Sequence, residues 1–269
     1  FSVHVPPFGF ANYYILQAEQ PRTSYHDPEP RELSRADVGY VLENGALRAV
    51  LAPATCKLTS LYDKKNGREL LSGGAGFRLV DETEDWMSSW VVGDYARVCD
   101  LNEKEAVTVK SAVLTGEVQS VTYELKFRRS LLRLRVSLAG QSPVLRFSAD
   151  CDFQETGADG LVPQLQLHIP YSYWPQAIRC DVPGGVLDRP EFAHDIPVIR
   201  YCAPVPESGS ALLLTSDCKY GVRAWKNALI LDLLRSSTIP DRYPEQGVHQ
   251  FEIGLGAAPS ADSACLREL

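Results

Sequence analysis

The sequence contains 269 residues, of which 45% are hydrophobic and 23% are charged, the balance of an ordinary soluble globular protein. The net charge of −7 argues against a general affinity for nucleic acid or for anionic membranes. The apolar runs are also far too short to form a membrane-spanning helix. A chain of this length forms either one large domain or two smaller ones.

The cysteines and histidines show no metal-binding pattern. Seven cysteines are spread over the chain, and no two of them are closer than sixteen residues. The odd number and the wide spacing are not typical of a Cys-x-x-Cys metal site or of a dense disulfide framework. The five histidines also lack the spacing of metal ligands. We therefore expect buried, reduced thiols, no metal site in this chain and a cytoplasmic location.

The first 37 residues differ in composition from the rest. Residues 1–17 combine alternating valines with a pair of prolines and several aromatic residues, which predicts a small N-terminal β element. Residues 18–37 hold three prolines and many charges and are expected to form a linker. Residues 38–269 then form the main domain.

Strand patterns follow one another from Val38 onward. A hairpin is predicted around Asn44-Gly45, because this dipeptide supplies the positive φ angles of a tight turn. Residues 106–152 alternate apolar and polar side chains with a period of two, which is typical of a meander of half-buried antiparallel strands. No amphipathic helix of ten or more residues is evident. The predicted fold class is all-β, a large sandwich of long antiparallel strands.

A first candidate site lies in the segment DETEDWMSSWVVGDY, residues 81–95. Trp86 and Trp90 occur here among several carboxylates, including Asp85. Aromatic faces stack on the C–H faces of sugar rings and carboxylates accept hydrogen bonds from sugar hydroxyls, so the segment suits a carbohydrate site. An acidic loop anchored by core tryptophans explains the same pattern, and both interpretations remain open.

A second candidate site follows the apolar run 228–234. This run ends at Arg235, and polar residues with interspersed prolines continue up to Val248, with Asp241 six positions after the arginine. Loops carried on rigid strands often hold functional groups, and this loop carries a cation and a carboxylate. The alternatives are a solvated arginine in a surface loop and an arginine that only braces the loop. Tyr220 is expected to pack in the core behind it.

Eight segments, taken in order, carry a resemblance to a known family: VHVPPFG, VLENGALRAVL, SLYDKKNGREL, DETEDWMSSWVVGDY, DVPGGVLDRP, DCKYGV, LLRSSTIPD and EQGVHQFEIGL. Together they resemble the C-terminal β domain of glycoside hydrolase family 38 α-mannosidases. The order and spacing of the segments make the resemblance specific, and it covers nearly the whole chain. It implies a galactose-mutarotase-like super-sandwich.

The resemblance implies that this chain carries no catalytic group. Family members hydrolyse α-mannosides with retention, using a carboxylate nucleophile and a zinc ion that belong to an N-terminal part. None of the motifs of that part occurs here, so the implied partner is the catalytic domain of the same polypeptide and zinc is its implied cofactor. By position in the motifs, the residues implied at the rim of the sugar pocket are Arg235, Asp241, Trp86 and Asp85. The stretch WVVGDY replaces a more acidic family pattern, which puts a role for Asp94 in doubt.

The predicted function is therefore the non-catalytic C-terminal portion of a retaining α-mannosidase, which packs on the catalytic domain and is inactive alone. A start at Phe1 rather than at methionine agrees with a fragment or a processed product. Two alternatives are a stand-alone carbohydrate-binding β-sandwich and a mutarotase-like epimerase. An epimerase needs a general acid and a general base facing the sugar, typically His and Glu, and the spacing suggests no such pair.

Overall fold

The computed structural model describes residues 29–84, 86–101, 106–241 and 245–260. Within these ranges the chain forms strands, turns and bends and no helix, which confirms the predicted all-β class. None of these residues therefore belongs to a helix that could cross a membrane. The β element predicted for 1–17 and most of the predicted linker lie outside the described residues. The described end of the linker contributes a short strand, Arg31–Glu32.

Twenty strands occur within the described ranges and are numbered in chain order. The first ten are β1 (Arg31–Glu32), β2 (Tyr40–Glu43), β3 (Leu47–Leu51), β4 (Leu58–Asp63), β5 (Arg68–Glu69), β6 (Gly76–Thr83), β7 (Tyr95–Asp100), β8 (Val107–Thr115), β9 (Val118–Phe127) and β10 (Ser130–Leu138). The others are β11 (Val144–Phe153), β12 (Leu161–Pro170), β13 (Ala177–Val182), β14 (Gly185–Arg189), β15 (Phe192–Pro197), β16 (Tyr201–Val205), β17 (Ala211–Ser216), β18 (Gly221–Ala224), β19 (Ala228–Arg235) and β20 (Gly247–Ala258).

These strands pair antiparallel in three sheets. A ten-stranded sheet has the order β1-β8-β9-β10-β11-β20-β17-β16-β13-β14, and a six-stranded sheet has the order β15-β18-β19-β12-β6-β7. A four-stranded sheet, β2-β3-β4-β5, completes the described fold. The predicted meander corresponds to β8 through β11, which are neighbours in space as well as in sequence.

One hydrophobic core draws on all three sheets. In β10 the residues Leu132, Leu134 and Val136 have no exposed surface, whereas Arg133 and Arg135 between them point outward to solvent. Each buried leucine or valine side chain stabilises the fold by about 1.5–3 kcal/mol relative to an exposed one. The period-two pattern thus specifies which face of each long strand joins the core.

The turn at Asn44-Gly45 differs from expectation in how it is closed. The β2–β3 hairpin forms as predicted, but neither Asn44 nor Gly45 has a positive φ. Instead the Asn44 side-chain oxygen accepts hydrogen bonds from the amides of Ala46 and Leu47, so the side chain closes the turn. Positive φ angles at two consecutive turn residues occur at Lys226-Asn227, between β18 and β19.

The described cysteines are free and divide into two classes. Cys56, Cys151, Cys180 and Cys202 are buried, in agreement with the prediction. Cys99 and Cys218 are exposed, so the expectation of burial is wrong for these two. Cys99 lies on the edge strand β7, and Cys218 lies in the loop after β17. Neither position is covered by a neighbouring strand on both sides.

Candidate functional site

Two loops leave the same end of the six-stranded sheet. Strands β6 and β19 both pair antiparallel with β12, so they run in the same direction and their last residues lie at one edge. We call residues 84–94, which follow β6, loop A, and residues 236–241, which follow β19, loop B. Loop A is described except for Asp85. This shared exit brings the two predicted site segments together.

A buried ion pair joins the ends of the two strands beneath the loops. The Arg235 Nε atom lies 2.9 and 3.2 Å from the two carboxylate oxygens of Glu82, and Nη2 lies 2.9 Å from Glu82 Oε2. Arg235 Nη1 donates to the carbonyl of Ser88, and Nη2 donates to the carbonyl of Val91 at 2.9 Å. Glu82 has no exposed surface and also accepts a hydrogen bond from the Gly93 amide. The pair thus fixes the middle and the end of loop A.

Serine side chains fasten loop A to loop B. The Ser88 hydroxyl accepts hydrogen bonds from the amides of Thr238 and Ile239 at 3.1 and 3.0 Å. The Ser89 amide donates to the Ile239 carbonyl at 2.8 Å, and the Ser89 and Ser237 hydroxyls are 2.9 Å apart. Since both backbone and side-chain groups connect the loops, they form one rigid unit, which we call the loop pair.

The loop pair presents an apolar surface to solvent. Trp86 is 74% exposed and Trp90 is 73% exposed, and Val91, Val92 and Ile239 are also exposed. The interpretation of core tryptophans anchoring an acidic loop is therefore wrong, because the anchor is the ion pair below. Exposed aromatic rings on a rigid loop can stack on sugar rings or pack against another domain.

The structure places the four predicted site residues as follows. Arg235 and Trp86 belong to the same assembly, Arg235 at its base and Trp86 on its surface. Asp241 is exposed at the end of loop B, and Asp85 lies outside the described residues. The carboxylate that Arg235 binds is Glu82 rather than Asp241.

Sequence reasoning missed the role of Glu82 and misplaced Tyr220. The sequence did offer a signal for Glu82, because this residue continues the apolar strand FRLVDE. A carboxylate buried in such a strand requires a partner. Tyr220 was expected in the core, but it is 52% exposed. It precedes β18, a strand near the edge of the sheet, where less of the chain covers it.

A second polar cluster covers the outer face of the six-stranded sheet. The Gln166 Nε2 atom lies 2.8 Å from Asp232 Oδ1 and 2.5 Å from the Tyr95 hydroxyl. Arg223 binds both oxygens of Asp195 and stacks on the Tyr95 ring at 4.3 Å. Side chains from strands on both sides of β12 thus meet on the outer face of the sheet.

Burial changes the ionisation of two groups on this face. It raises the pKa of the Asp232 carboxyl well above its usual range, and the nearby Asp195 carboxylate acts in the same direction. Burial also lowers the pKa of His168 to about 4, so this imidazole is neutral near pH 7. Among the described residues, no three His, Cys, Asp or Glu side chains are arranged to hold a metal ion.

Comparison with known families decides the classification. The profile of the family described as "Glycosyl hydrolases family 38 C-terminal domain" matches residues 42–243. The chain belongs to this family. The matched range contains β3 through β19 in full and therefore includes the whole loop pair.

Two curated relatives are α-mannosidases. The chain is 27% identical to human "Alpha-mannosidase 2C1" over 273 aligned residues, which cover 94% of the chain and 25% of the relative. It is 22% identical to the "Alpha-mannosidase" of Saccharomyces cerevisiae, with 80% of the chain and 22% of the relative covered. The chain thus spans about a quarter of the length of the curated relatives it matches.

Solved structures show the same fold. An α-mannosidase from Enterococcus faecalis V583 superimposes with a TM-score of 0.67 at 13% identity, covering 89% of this chain and 31% of that one. A family 38 protein from Enterococcus faecalis gives a TM-score of 0.68 at 13% identity, covering 91% and 33% of the two chains. These similarities agree with the predicted all-β fold of long antiparallel strands.

Proposed function

We propose that the chain is the non-catalytic C-terminal portion of a retaining α-mannosidase and packs on the catalytic domain of the same polypeptide. One observation carries the proposal: 94% of the chain aligns with only 25% of an α-mannosidase. The other three quarters of such a relative are long enough to contain a separate catalytic domain. Retaining hydrolysis needs two carboxyl groups close to the anomeric carbon, and we assign both to the catalytic domain.

The loop pair is the part of this chain that we place at the rim of the sugar pocket. Its support is geometric, since exposed Trp86 lies on a loop whose middle and end are fixed by the Arg235–Glu82 pair. Trp86 supplies an aromatic face for a sugar ring, and exposed Asp241 accepts hydrogen bonds from sugar hydroxyls. Asp85 adjoins Trp86 in sequence and is assigned the same role.

Arg235 acts in this proposal as a positioning residue. Within the described residues its hydrogen bonds go to Glu82 and to the carbonyls of Ser88 and Val91, all within the assembly. A guanidinium so engaged orients loop A rather than the substrate. Its contribution to binding is thus the fixed orientation of Trp86, which lowers the entropic cost of ordering the loop when sugar binds.

The cofactor and the location follow from the same proposal. Zinc, the cofactor that the resemblance to family 38 α-mannosidases implies, is assigned to the catalytic domain. The proposed location is the cytoplasm, as the odd number and wide spacing of the seven cysteines indicate. The ligand is an α-mannoside, held jointly by the two domains.

The experiment that tests the proposal compares the isolated chain with the full-length protein. An aryl α-mannoside should be hydrolysed by the full-length protein and not by the isolated chain, with or without added zinc. Robust turnover by the repurified isolated chain, lost on mutation of its own residues, would reject the proposal.

The exposed tryptophans also suit a second function, a stand-alone carbohydrate-binding module. The two functions differ in where affinity resides. A stand-alone module binds free mannose or mannosides by itself. A chain that supplies only part of the sugar pocket binds them only when the catalytic domain is present. Calorimetric titration of the isolated chain with mannose separates them, because measurable binding favours the module.

A further inference from the structure

Two cysteines on neighbouring strands face each other in the ten-stranded sheet. Cys180 on β13 is directly opposite Cys202 on β16, and their Sγ atoms are 3.8 Å apart. Both side chains are buried. The pair lies near the end of the sheet formed by β16, β13 and β14, in a different sheet from the loop pair. The role proposed above does not use these thiols.

The hydrogen bonds around β16 show which type of antiparallel pair this is. The Arg200 carbonyl accepts a hydrogen bond from the amide of Ser216, the last residue of β17. The Pro204 carbonyl also faces β17, where the Tyr173 hydroxyl bridges it to the Leu212 amide. Since backbone groups of alternate residues point to the same side, those of Cys202 also point to β17. Cys180 and Cys202 therefore form a non-hydrogen-bonded pair.

This pair geometry is compatible with a disulfide. In non-hydrogen-bonded pairs the Cα atoms are about 4.5 Å apart, and disulfides span Cα distances of about 4.4–6.8 Å. The sulfur atoms must approach from 3.8 Å to about 2.05 Å, which rotation of the two side chains can supply. A Cα separation of about 4.5 Å thus lies within the range that a disulfide spans.

We propose that Cys180 and Cys202 form a reversible cross-strand dithiol–disulfide couple. The oxidant is a small dialkyl disulfide. The Cys180 thiolate attacks one sulfur of the oxidant, forms a mixed disulfide and releases one alkyl thiolate. The Cys202 thiolate then attacks Cys180 Sγ and releases the second alkyl thiolate. The two protons lost by the protein thiols end on the two released thiolates, so the oxidant is reduced by two electrons.

The assignment of Cys180 as the attacking group rests on its place in the sheet. Cys180 lies on β13, which neighbours the edge strand β14, whereas Cys202 lies on β16, between β13 and β17. Opening of this edge therefore exposes Cys180 first, and its thiolate is the reactive form. The hydrogen bond to Cys202 also lowers the pKa of Cys180.

Access of the oxidant requires the edge of the sheet to open, because both sulfur atoms are buried. The edge strand β14 pairs with β13, and β13 pairs with β16 at four positions. Asp181 of β13 is also bound by Arg200 and by the Ile199 amide, so these contacts must break when the edge opens. Transient separation of the β13–β14 hairpin from β16 exposes the thiols. Once formed, the disulfide ties this hairpin to β16 and opposes further opening.

Oxidation of a chain that keeps only the buried cysteines tests the proposal. Replacing Cys99, Cys218 and Cys265 by Ser removes three of the seven thiols and leaves four. After incubation of the folded chain with oxidised glutathione, alkylation in denaturant should find two free thiols instead of four. Peptide mapping should find Cys180 linked to Cys202, and dithiothreitol should restore both thiols.

Two further measurements keep the proposal falsifiable. Adding Cys202→Ser should stop the reaction at a glutathione adduct on Cys180, because the resolving thiol is gone. Amide exchange in β13 and β14 should slow by at least about tenfold on oxidation and recover on reduction. Four thiols that stay free in the folded chain, adducts without the Cys180–Cys202 link, or unchanged exchange in the linked protein would each overturn the proposal.

Discussion

Arg235 is the residue on which the candidate site depends. The sequence identified it because Arg235 begins a loop that carries a cation and a carboxylate after a strongly apolar strand, but its partner Glu82 could not be read from the sequence. Glu82 is 153 positions away, and the antiparallel pairing of both strands with β12 brings the two side chains together. A long-range contact of this kind follows from sheet topology, which the local pattern of residues does not specify.

The Arg235–Glu82 pair should contribute strongly to stability. Arg235→Ala leaves Glu82 as an unpaired carboxylate with no exposed surface, and breaking a buried pair in this way costs about 3–5 kcal/mol. Urea denaturation measures the change. Arg235→Lys, which keeps the charge but not the planar fork, should lose less.

A double variant serves as the control for this effect. Glu82→Gln added to Arg235→Ala removes the buried charge, so the double variant should be more stable than Arg235→Ala alone. If Arg235→Ala unfolds at the wild-type urea concentration, the pair does not brace the loop.

At the scale of the elements, Ser88 is the main link between the two loops. Ser88→Ala leaves the Thr238 and Ile239 amides without the hydroxyl that accepts from both. We expect a loss of about 1–3 kcal/mol and faster hydrogen exchange at these two amides. Ser89→Ala removes one contact between hydroxyl groups and should have a smaller effect. Equal exchange rates in the Ser88 variant and the wild type would show that the loops are held by other contacts.

The outer face of the six-stranded sheet gives the fold a pH dependence. Gln166 Nε2 has two hydrogens and three oxygens within hydrogen-bond distance, on Tyr95, Gln164 and Asp232, so it cannot satisfy all three. The Arg223 charge is already shared with Asp195. Protonated Asp232, with a hydroxyl to donate, therefore suits this environment, in agreement with its raised pKa.

The sign of this dependence follows from the raised pKa of Asp232. The folded protein holds the proton more tightly than the unfolded chain, whose Asp pKa is about 3.9. The stabilisation is complete below about pH 3.9 and is lost as pH rises towards the folded-state pKa. Relative to Asp232→Asn, the wild type should therefore lose up to about 1.4 kcal/mol per pH unit in this interval. Denaturation of both proteins at several pH values measures the difference, and a constant difference would contradict it.

The strands were more predictable than the loops. Period-two alternation in β8 to β11 follows directly from one buried and one exposed face, so both the strands and their order could be read from the sequence. The exposure of Trp86 and Trp90 could not be read from the sequence. A loop segment has the same composition whether its aromatic side chains point inward or outward. The sequence Asn-Gly also did not show how its turn is closed. The same dipeptide suits a turn with positive φ angles and a turn closed by the asparagine side chain.

At the scale of the whole molecule, exposed tryptophans occur at both ends of the six-stranded sheet. The loop pair lies at the end where β6 and β19 finish. Trp174 follows β12, whose last residues pair with the start of β19, and therefore lies at the opposite end. Trp174 is 79% exposed, so the chain offers exposed tryptophans at both ends. Our proposal assigns the sugar pocket to the first end alone.

The specificity constant of the full-length protein for an aryl α-mannoside tests this assignment most directly. Trp86→Ala should lower kcat/KM by about tenfold, equivalent to about 1.4 kcal/mol of lost transition-state binding, without changing the thermal unfolding midpoint. Trp174→Ala removes an equally exposed ring and should leave kcat/KM unchanged. An unchanged specificity constant in the Trp86 variant, or an equal loss in the two variants, would contradict the account.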